Sequence, residues 1–137
     1  MDASRHLHVA CAIVEQDGLV LAAQRSSATS LPLKWEFPGG KIEPGASPEQ
    51  CLLREMHEEM AIRVAVDRPL ARTTHYYDDF TVTLYPFCCR IIEGEIILHE
   101  HAALCWLPPE QLHTLDWAAA DLPVICEYQE YNNGVTA

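Results

Sequence analysis

Three glutamates, Glu55, Glu58 and Glu59, fall on one stretch of helical spacing just after a Gly39-Gly40-Lys41 turn. At 3.6 residues per turn their side chains fan across an arc of about 100°. Like charges three and four residues apart repel and weaken an isolated helix. A divalent cation over that face would neutralise it, and hard carboxylate oxygens suit Mg²⁺ or Mn²⁺. A face of this kind lets negative side chains hold a phosphate substrate. A solvated acidic face is the commoner origin of such a run. The glycine turn ahead of it and Arg54 within it favour the metal.

The rest of the chain bounds the chemistry. Its 137 residues predict one domain, 1–137, with a sizeable core. Twenty Asp and Glu against nine Lys and Arg leave a net charge of −11, which argues against a nucleic acid polymer as partner. A single nucleotide stays open if metal screens its phosphates. The six cysteines form no C-x-x-C pair and no zinc-type Cys/His spacing. They read as reduced, mostly buried small hydrophobes of a cytoplasmic protein. The start, MDASRHLHVACAIV, has no long apolar region after a basic one, so no secretory signal is read. No apolar run reaches the roughly 18 residues of a membrane span. Monomer and homodimer are both compatible with the sequence.

The elements that must position the glutamates follow from pattern. Residues 7–15 and 19–24 predict two strands joined by a hairpin turn at Asp17-Gly18. Residues 26–33 predict a loop, and Trp35-Glu36-Phe37 a short strand stopped by Pro38 and the glycines. The helix behind them has Ser47 as cap, Pro48 in its first turn and Gln50 completing a capping box. Leu52, Leu53, Met56 and Met60 supply its apolar stripe. Further strands are expected over 62–66, 70–77, 79–92 and 104–107, with Pro86 marking an edge or a bulge. A brief helix opens at Pro108-Pro109-Glu110, a closing helix spans 122–131, and the tail NNGVTA is expected to fray. Antiparallel or mixed strand pairs with few helices predict an α+β fold, a helix–sheet–helix sandwich.

The segment from Gly40 to Ile62 resembles the Nudix box of the MutT-type pyrophosphohydrolases, G-x5-E-x7-R-E-U-x-E-E-x-G-U with U a bulky aliphatic residue. Gly40 opens it, Arg54-Glu55-Met56 gives R-E-U, Glu58-Glu59 gives E-E and Ile62 closes it. The many fixed positions make the pattern specific. The likeness spans nearly the whole chain and is closest to the bacterial CTP pyrophosphohydrolases of the MutT-like group. It implies a Nudix-type α/β/α sandwich with a mixed central sheet. Two positions depart from the signature: Ala46 stands where a Glu is expected and Ala61 where a Gly is expected. In the family the first Glu supports the box arginine, so Arg54 needs another acid, with Glu43 and Glu49 as substitutes.

The resemblance implies roles. Glu58 and Glu59 bind divalent metal with the Gly39 carbonyl. Glu55 is a further ligand or the base that activates water. Glu100 reaches the site from a later loop, and the base is either Glu55 or Glu100. Metal would lower the pKa of a bound water and neutralise phosphoryl oxygens. Attack on phosphorus then releases pyrophosphate and a nucleoside monophosphate. Arg25 and Lys41 are cations placed to steady the phosphate chain. Asp121 aligns with a base-reading position and can accept from an amino-bearing base; it can equally cap the closing helix. Phe37, Trp35 and Tyr77 are stacking candidates, with Phe37 suited also to the core. His99 and His101 read as surface residues, His8 and His75 as structural, and Cys88-Cys89 as strand packing.

The function this implies is Mg²⁺-dependent hydrolysis of CTP, dCTP or a modified nucleotide such as 8-oxo-dGTP. One alternative is a nucleotide-binding module whose catalysis Ala46 impairs. Another is a hydrolase of ADP-ribose or of dinucleoside polyphosphates.

Overall fold

The computed structural model describes residues 5–136, with side chains as far as Asn132. Part of the leader reading, over the first four residues, lies outside the described residues. Strands β1 (His6–Gln16) and β2 (Leu19–Gln24) form the expected hairpin. Asp17 and Gly18 turn it with φ of 53° and 80°, the left-handed pair that matches strand twist. Then come β3 (Trp35–Glu36), β4 (Gly39–Lys41), α1 (Pro48–Met60), β5 (Arg63–Pro69), β6 (Thr73–Tyr76), β7 (Thr81–Glu93) and β8 (Ala103–Leu107). Two 3₁₀ turns, Pro109–Thr114 and Ala119–Asp121, lead into α2 (Leu122–Thr136).

β1 is the spine of a mixed sheet of eight strands. It pairs parallel with β7 from His6↔Thr81 to Val14↔Cys89. Its other edge is shared: Val9–Cys11 takes β4, and Glu15–Gln16 takes β2. β2 then carries β3 and β8 away as a second limb.

Alternation along β1 sorts the two cores. Ala10, Ala12 and Val14 pack toward Cys51, Leu52, Met56 and Met60 of α1. Cys11 and Ile13 pack with Val124, Ile125 and Tyr128 of α2. A helix therefore covers each face, giving the α/β/α sandwich. Leu52, Met56 and Met60 are fully buried, each worth about 1.5–3 kcal/mol of transfer free energy. The capping box forms as the sequence predicts: the Ser47 hydroxyl accepts the Gln50 N–H and the Gln50 side-chain oxygen accepts the Ser47 N–H.

Several expectations are corrected. Gly39–Lys41 is a strand rather than a turn, because its backbone completes the edge of β1. Leu53 is 38% exposed; Cys51 fills the core position instead, its S–H donating to the Lys41 carbonyl at 3.1 Å. β5 begins at Arg63 and runs on to Pro69, and β6 starts only at Thr73. Pro86 lies in β7, a central strand. It is tolerated because β7 changes partner there, from β6, ending at Thr73↔Leu84, to β5, starting at Pro69↔Phe87. Its missing N–H falls in that gap, while its carbonyl accepts from Leu70. The register shifts are in the pairing of β5 instead, at Arg63/Val64 and Val66/Arg68. α2 runs to Thr136, past the expected end at Tyr131, and Ala137 lies outside the described residues. All six cysteines are unpaired, and Cys88 and Cys89 are buried in the sheet.

α1 ends at Ala61, which adopts the left-handed conformation (φ 60°, ψ 28°) that its cap requires. A Cβ there costs about 1 kcal/mol. Ala61→Gly is therefore expected to raise stability by about 0.5–1 kcal/mol in urea denaturation, and an unchanged or lower midpoint would refute that strain.

Candidate functional site

The site is built where β4 is wedged between β1 and α1. A Cβ on Gly39 would lie 1.9 Å from the Ala10 carbonyl oxygen, and one on Gly40 would lie 2.3 Å from Cδ of Glu55. Only glycine lets this backbone press against the sheet on one side and the Glu55 carboxylate on the other. Glu55 hydrogen-bonds Glu59 one turn on, and Glu100 adds its charge from the 99–102 bend. Burial, then the Glu55 hydrogen bond and the Glu100 charge, push the Glu59 carboxyl up to about 7.

Glu58 is turned aside. It is 59% exposed and lies 3.8 Å from Arg54 Nε. The same guanidinium meets Glu55 at 3.2 Å and Glu43 at 3.5 Å. Of the two expected substitutes for an acid at 46, Glu43 is thus the one beside Arg54.

Among the described residues, no three His, Cys, Asp or Glu side chains already form a metal cage. The cluster of Glu55, Glu59 and Glu100 is open and all-oxygen. Crowded carboxylates, one of them with its pKa pushed up to about 7 by burial and like charge, are what a divalent cation relieves. This donor chemistry fits Mg²⁺ or Mn²⁺.

Two hollows meet beside that cluster. The smaller, of about 160 Å³, holds Glu59, Glu100 and His101. The larger, of about 680 Å³, has Leu7, Val9, Val82 and Leu84 on its sheet floor and Asp121 at its wall. Arg25, Glu36 and Gly39 line both. Lys41 is exposed and lies on the larger hollow, with Gly40 between it and the acidic cluster.

Glu36 joins the two sides. One carboxylate oxygen pairs with Arg25 Nη1 at 2.8 Å, the other with His101 Nε2 at 2.9 Å. His101 is therefore not a surface residue as expected; its side chain is 8% exposed. The 99–102 segment bends instead of running extended, which turns His101 inward. Arg25 is further fixed by the Ser30 carbonyl, 2.8 Å from Nε. Sequence reasoning missed Glu36 and His101. A charged residue between Trp35 and Phe37 on a strand was the available signal, since a half-buried carboxylate needs partners.

Asp121 is buried at 5% exposure, and its Oδ2 accepts the Phe37 N–H at 2.9 Å. It does not cap α2: the preceding 3₁₀ turn runs straight into the helix, and the carboxyl points to β3 instead. Burial, opposed by the Phe37 N–H and reinforced by Glu36, pushes its pKa up to about 8. Phe37 is 3% exposed and packs on Trp117 with ring centroids 4.8 Å apart. Its ring belongs chiefly to the core. Trp35 packs against the core and does not line either hollow. Tyr77 does line the larger one; its hydroxyl accepts the Ala120 N–H at 3.0 Å and its ring stacks on Phe80 at 4.9 Å. His8 bonds the Tyr85 hydroxyl at 2.8 Å, and His75 packs edge-on against Tyr77.

Residues 4–128 match the NUDIX domain, and the chain belongs to that family. It is 35% identical over 119 residues to the CTP pyrophosphohydrolase of Escherichia coli K12, covering 87% of this chain and 88% of that protein. It is 37% identical over 122 residues to a putative 8-oxo-dGTP diphosphatase 2 of Mycobacterium tuberculosis, covering 86% and 84%. The solution structure of the E. coli ORF135 protein superposes with a TM-score of 0.81 at 32% identity, over 94% of this chain and 92% of that one. The MutT protein of Methanosarcina mazei Go1 shares the fold, with a TM-score of 0.85 at 20% identity over 96% and 99%.

Asp121 makes stability pH-dependent. Its pKa rises from an ordinary 3.8 to about 8 on folding. Between those values the folded chain holds a proton that the unfolded chain releases, so its contribution is full below about 4 and is lost as pH rises through about 8. Asp121→Asn keeps an acceptor for Phe37 without the charge. It is expected to exceed the wild type in stability at pH 8 by at least about 1 kcal/mol and to converge with it near pH 4. Parallel stability–pH curves for the two proteins would refute this.

Proposed function

We propose that the chain hydrolyses a nucleoside triphosphate to the monophosphate and pyrophosphate, with Mg²⁺ as cofactor and Mn²⁺ as a substitute. The supporting observation is the junction of two unlike compartments at Arg25, Glu36 and Gly39. One end is acidic oxygen and the other an apolar-floored cavity large enough for a nucleoside. A triphosphate lies across the junction, its base against Asp121 and its phosphates toward Glu59 and Glu100. The bound cation supplies charge neutralisation at the phosphoryl oxygens and acidifies the attacking water.

The protein's own groups do the rest. Glu55, Glu59 and Glu100, with the Gly39 carbonyl, would hold the cation, and Glu58 would complete the acidic face from the Arg54 side. Arg54 orients Glu55 through its 3.2 Å contact. Glu55 or Glu100 takes the proton from the attacking water. Arg25, held by Glu36, presents its remaining N–H donors to the phosphate chain, and Lys41 meets it from β4.

Asp121 bears on the base. With its pKa near 8 it is mostly a neutral acid at pH 7, able to donate one hydrogen bond and accept another. That pair matches the adjacent amino group and ring nitrogen of cytosine. A guanine edge offers a comparable alternation, so CTP, dCTP and 8-oxo-dGTP are the substrates to compare. Tyr77 and Phe80 supply aromatic surface beside the base. Against the impaired-catalysis alternative, Arg54 keeps the acidic partners Glu43 and Glu55 without a Glu at 46.

Pyrophosphate release is expected when the protein and Mg²⁺ are mixed with a panel holding CTP, dCTP and 8-oxo-dGTP; no release from any triphosphate ends the proposal. Gly40→Ala offers a sharper check. The three atoms nearest its Cβ all belong to the flexible Glu55 side chain, so the variant should fold normally yet lose about 100-fold in kcat. Retained kcat would remove Glu55 from the site.

A further inference from the structure

We infer that Glu43 is a positioning residue: it replaces the acid missing at 46 by drawing Nη1 of Arg54 to itself, so that Arg54 engages one Glu55 oxygen through Nη2 alone. Its kinetic test rests on the hydrolase reading above; its binding test does not.

Glu43 is placed by the backbone. The Ile42 N–H is tied to the His8 carbonyl at 2.8 Å, fixing the chain one residue earlier. Glu43-Pro44-Gly45-Ala46 then closes a turn, with the Ala46 N–H donating to the Glu43 carbonyl at 3.1 Å. Pro44 sits at the second turn position and Gly45 at the third with φ of 86°, the type II arrangement. The Ser47 capping box anchors the far side. Glu43 is therefore presented to Arg54 by a stiff loop although its side chain is 67% exposed.

The guanidinium is shared three ways. Nη1 faces Glu43 at 3.5 Å, Nη2 faces Glu55 at 3.2 Å and Nε faces Glu58 at 3.8 Å. Without the partner on Nη1, Arg54 is free to close on Glu55 with both terminal nitrogens and compete with a cation for the second oxygen as well. Glu49, the other acid near the gap, makes no ion pair with Arg54 among the described residues.

The test is a cycle of Glu43→Gln, Ala46→Glu and the double variant, with Glu49→Gln as control. Two readouts are needed: kcat and KM for triphosphate hydrolysis, and Mn²⁺ affinity of the nucleotide-free protein by calorimetry. Glu43→Gln should lower kcat about threefold to fivefold, the range of a largely exposed ion pair, with KM nearly unchanged. Mn²⁺ dissociation should weaken by about threefold. In the Ala46→Glu background both losses should shrink below about twofold, because the two acids serve one arginine. Glu49→Gln should change neither. Equal losses in both backgrounds, or no loss from Glu43→Gln, overturn the inference. If the wild type hydrolyses no triphosphate, the hydrolase reading fails and the Mn²⁺ cycle alone decides the role of Glu43.

Discussion

The close approach of the Gly39-Gly40 backbone to two neighbours at once governs this structure. On one side it completes the edge of β1, where any Cβ on Gly39 would overlap the Ala10 carbonyl. On the other it leaves room for the Glu55 side chain to lie over Gly40. A side chain at Gly39 would force β4 off the edge of β1, and one at Gly40 would displace the Glu55 carboxylate. The acidic face and the hydrophobic face of α1 are thus set by one constraint. Burying the apolar stripe brings the carboxylates against a glycine backbone whose carbonyls are also oxygen donors.

The same economy appears in Glu36. It stands on a two-residue strand and pairs with groups from two different regions, Arg25 after β2 and His101 before β8. β2 lies between β3 and β8 in the sheet, so strand pairing already brings these three together. The carboxylate then ties the acidic hollow to the larger cavity. Because both oxygens are engaged in part-buried contacts, loss of either partner would leave charge without compensation.

Elements with a strong local cause were legible in the sequence. The Asp17-Gly18 hairpin and the Ser47 capping box depend on residues within a few positions of one another, and both formed as expected. The glutamate face of α1 was legible for the same reason. What failed depended on distant partners. Gly39–Lys41 reads as a turn by composition, yet becomes a strand because β1 offers an edge. Pro86 reads as an edge marker, yet sits in a central strand because two other strands happen to meet beside it. His101 reads as exposed until the bend at 99–100 brings it to Glu36. The helical arc places Glu58 with its neighbours, but only the position of Arg54 shows which way it turns.

Asp121 shows how far the burial of an acid at a cavity wall can be pushed. Hydrophobic surroundings raise its pKa to about 8, which disfavours the charged form and weakens the fold at high pH. A buried Asn would avoid that cost while still accepting from Phe37. An Asn amide, however, presents a fixed donor and acceptor, whereas a carboxyl near its midpoint presents either. The single N–H from Phe37 holds Oδ2 in place and so fixes the orientation of the group. The cost of burying an acid there would be offset by a ligand that uses both of its protonation states, as the nucleobase proposed above would.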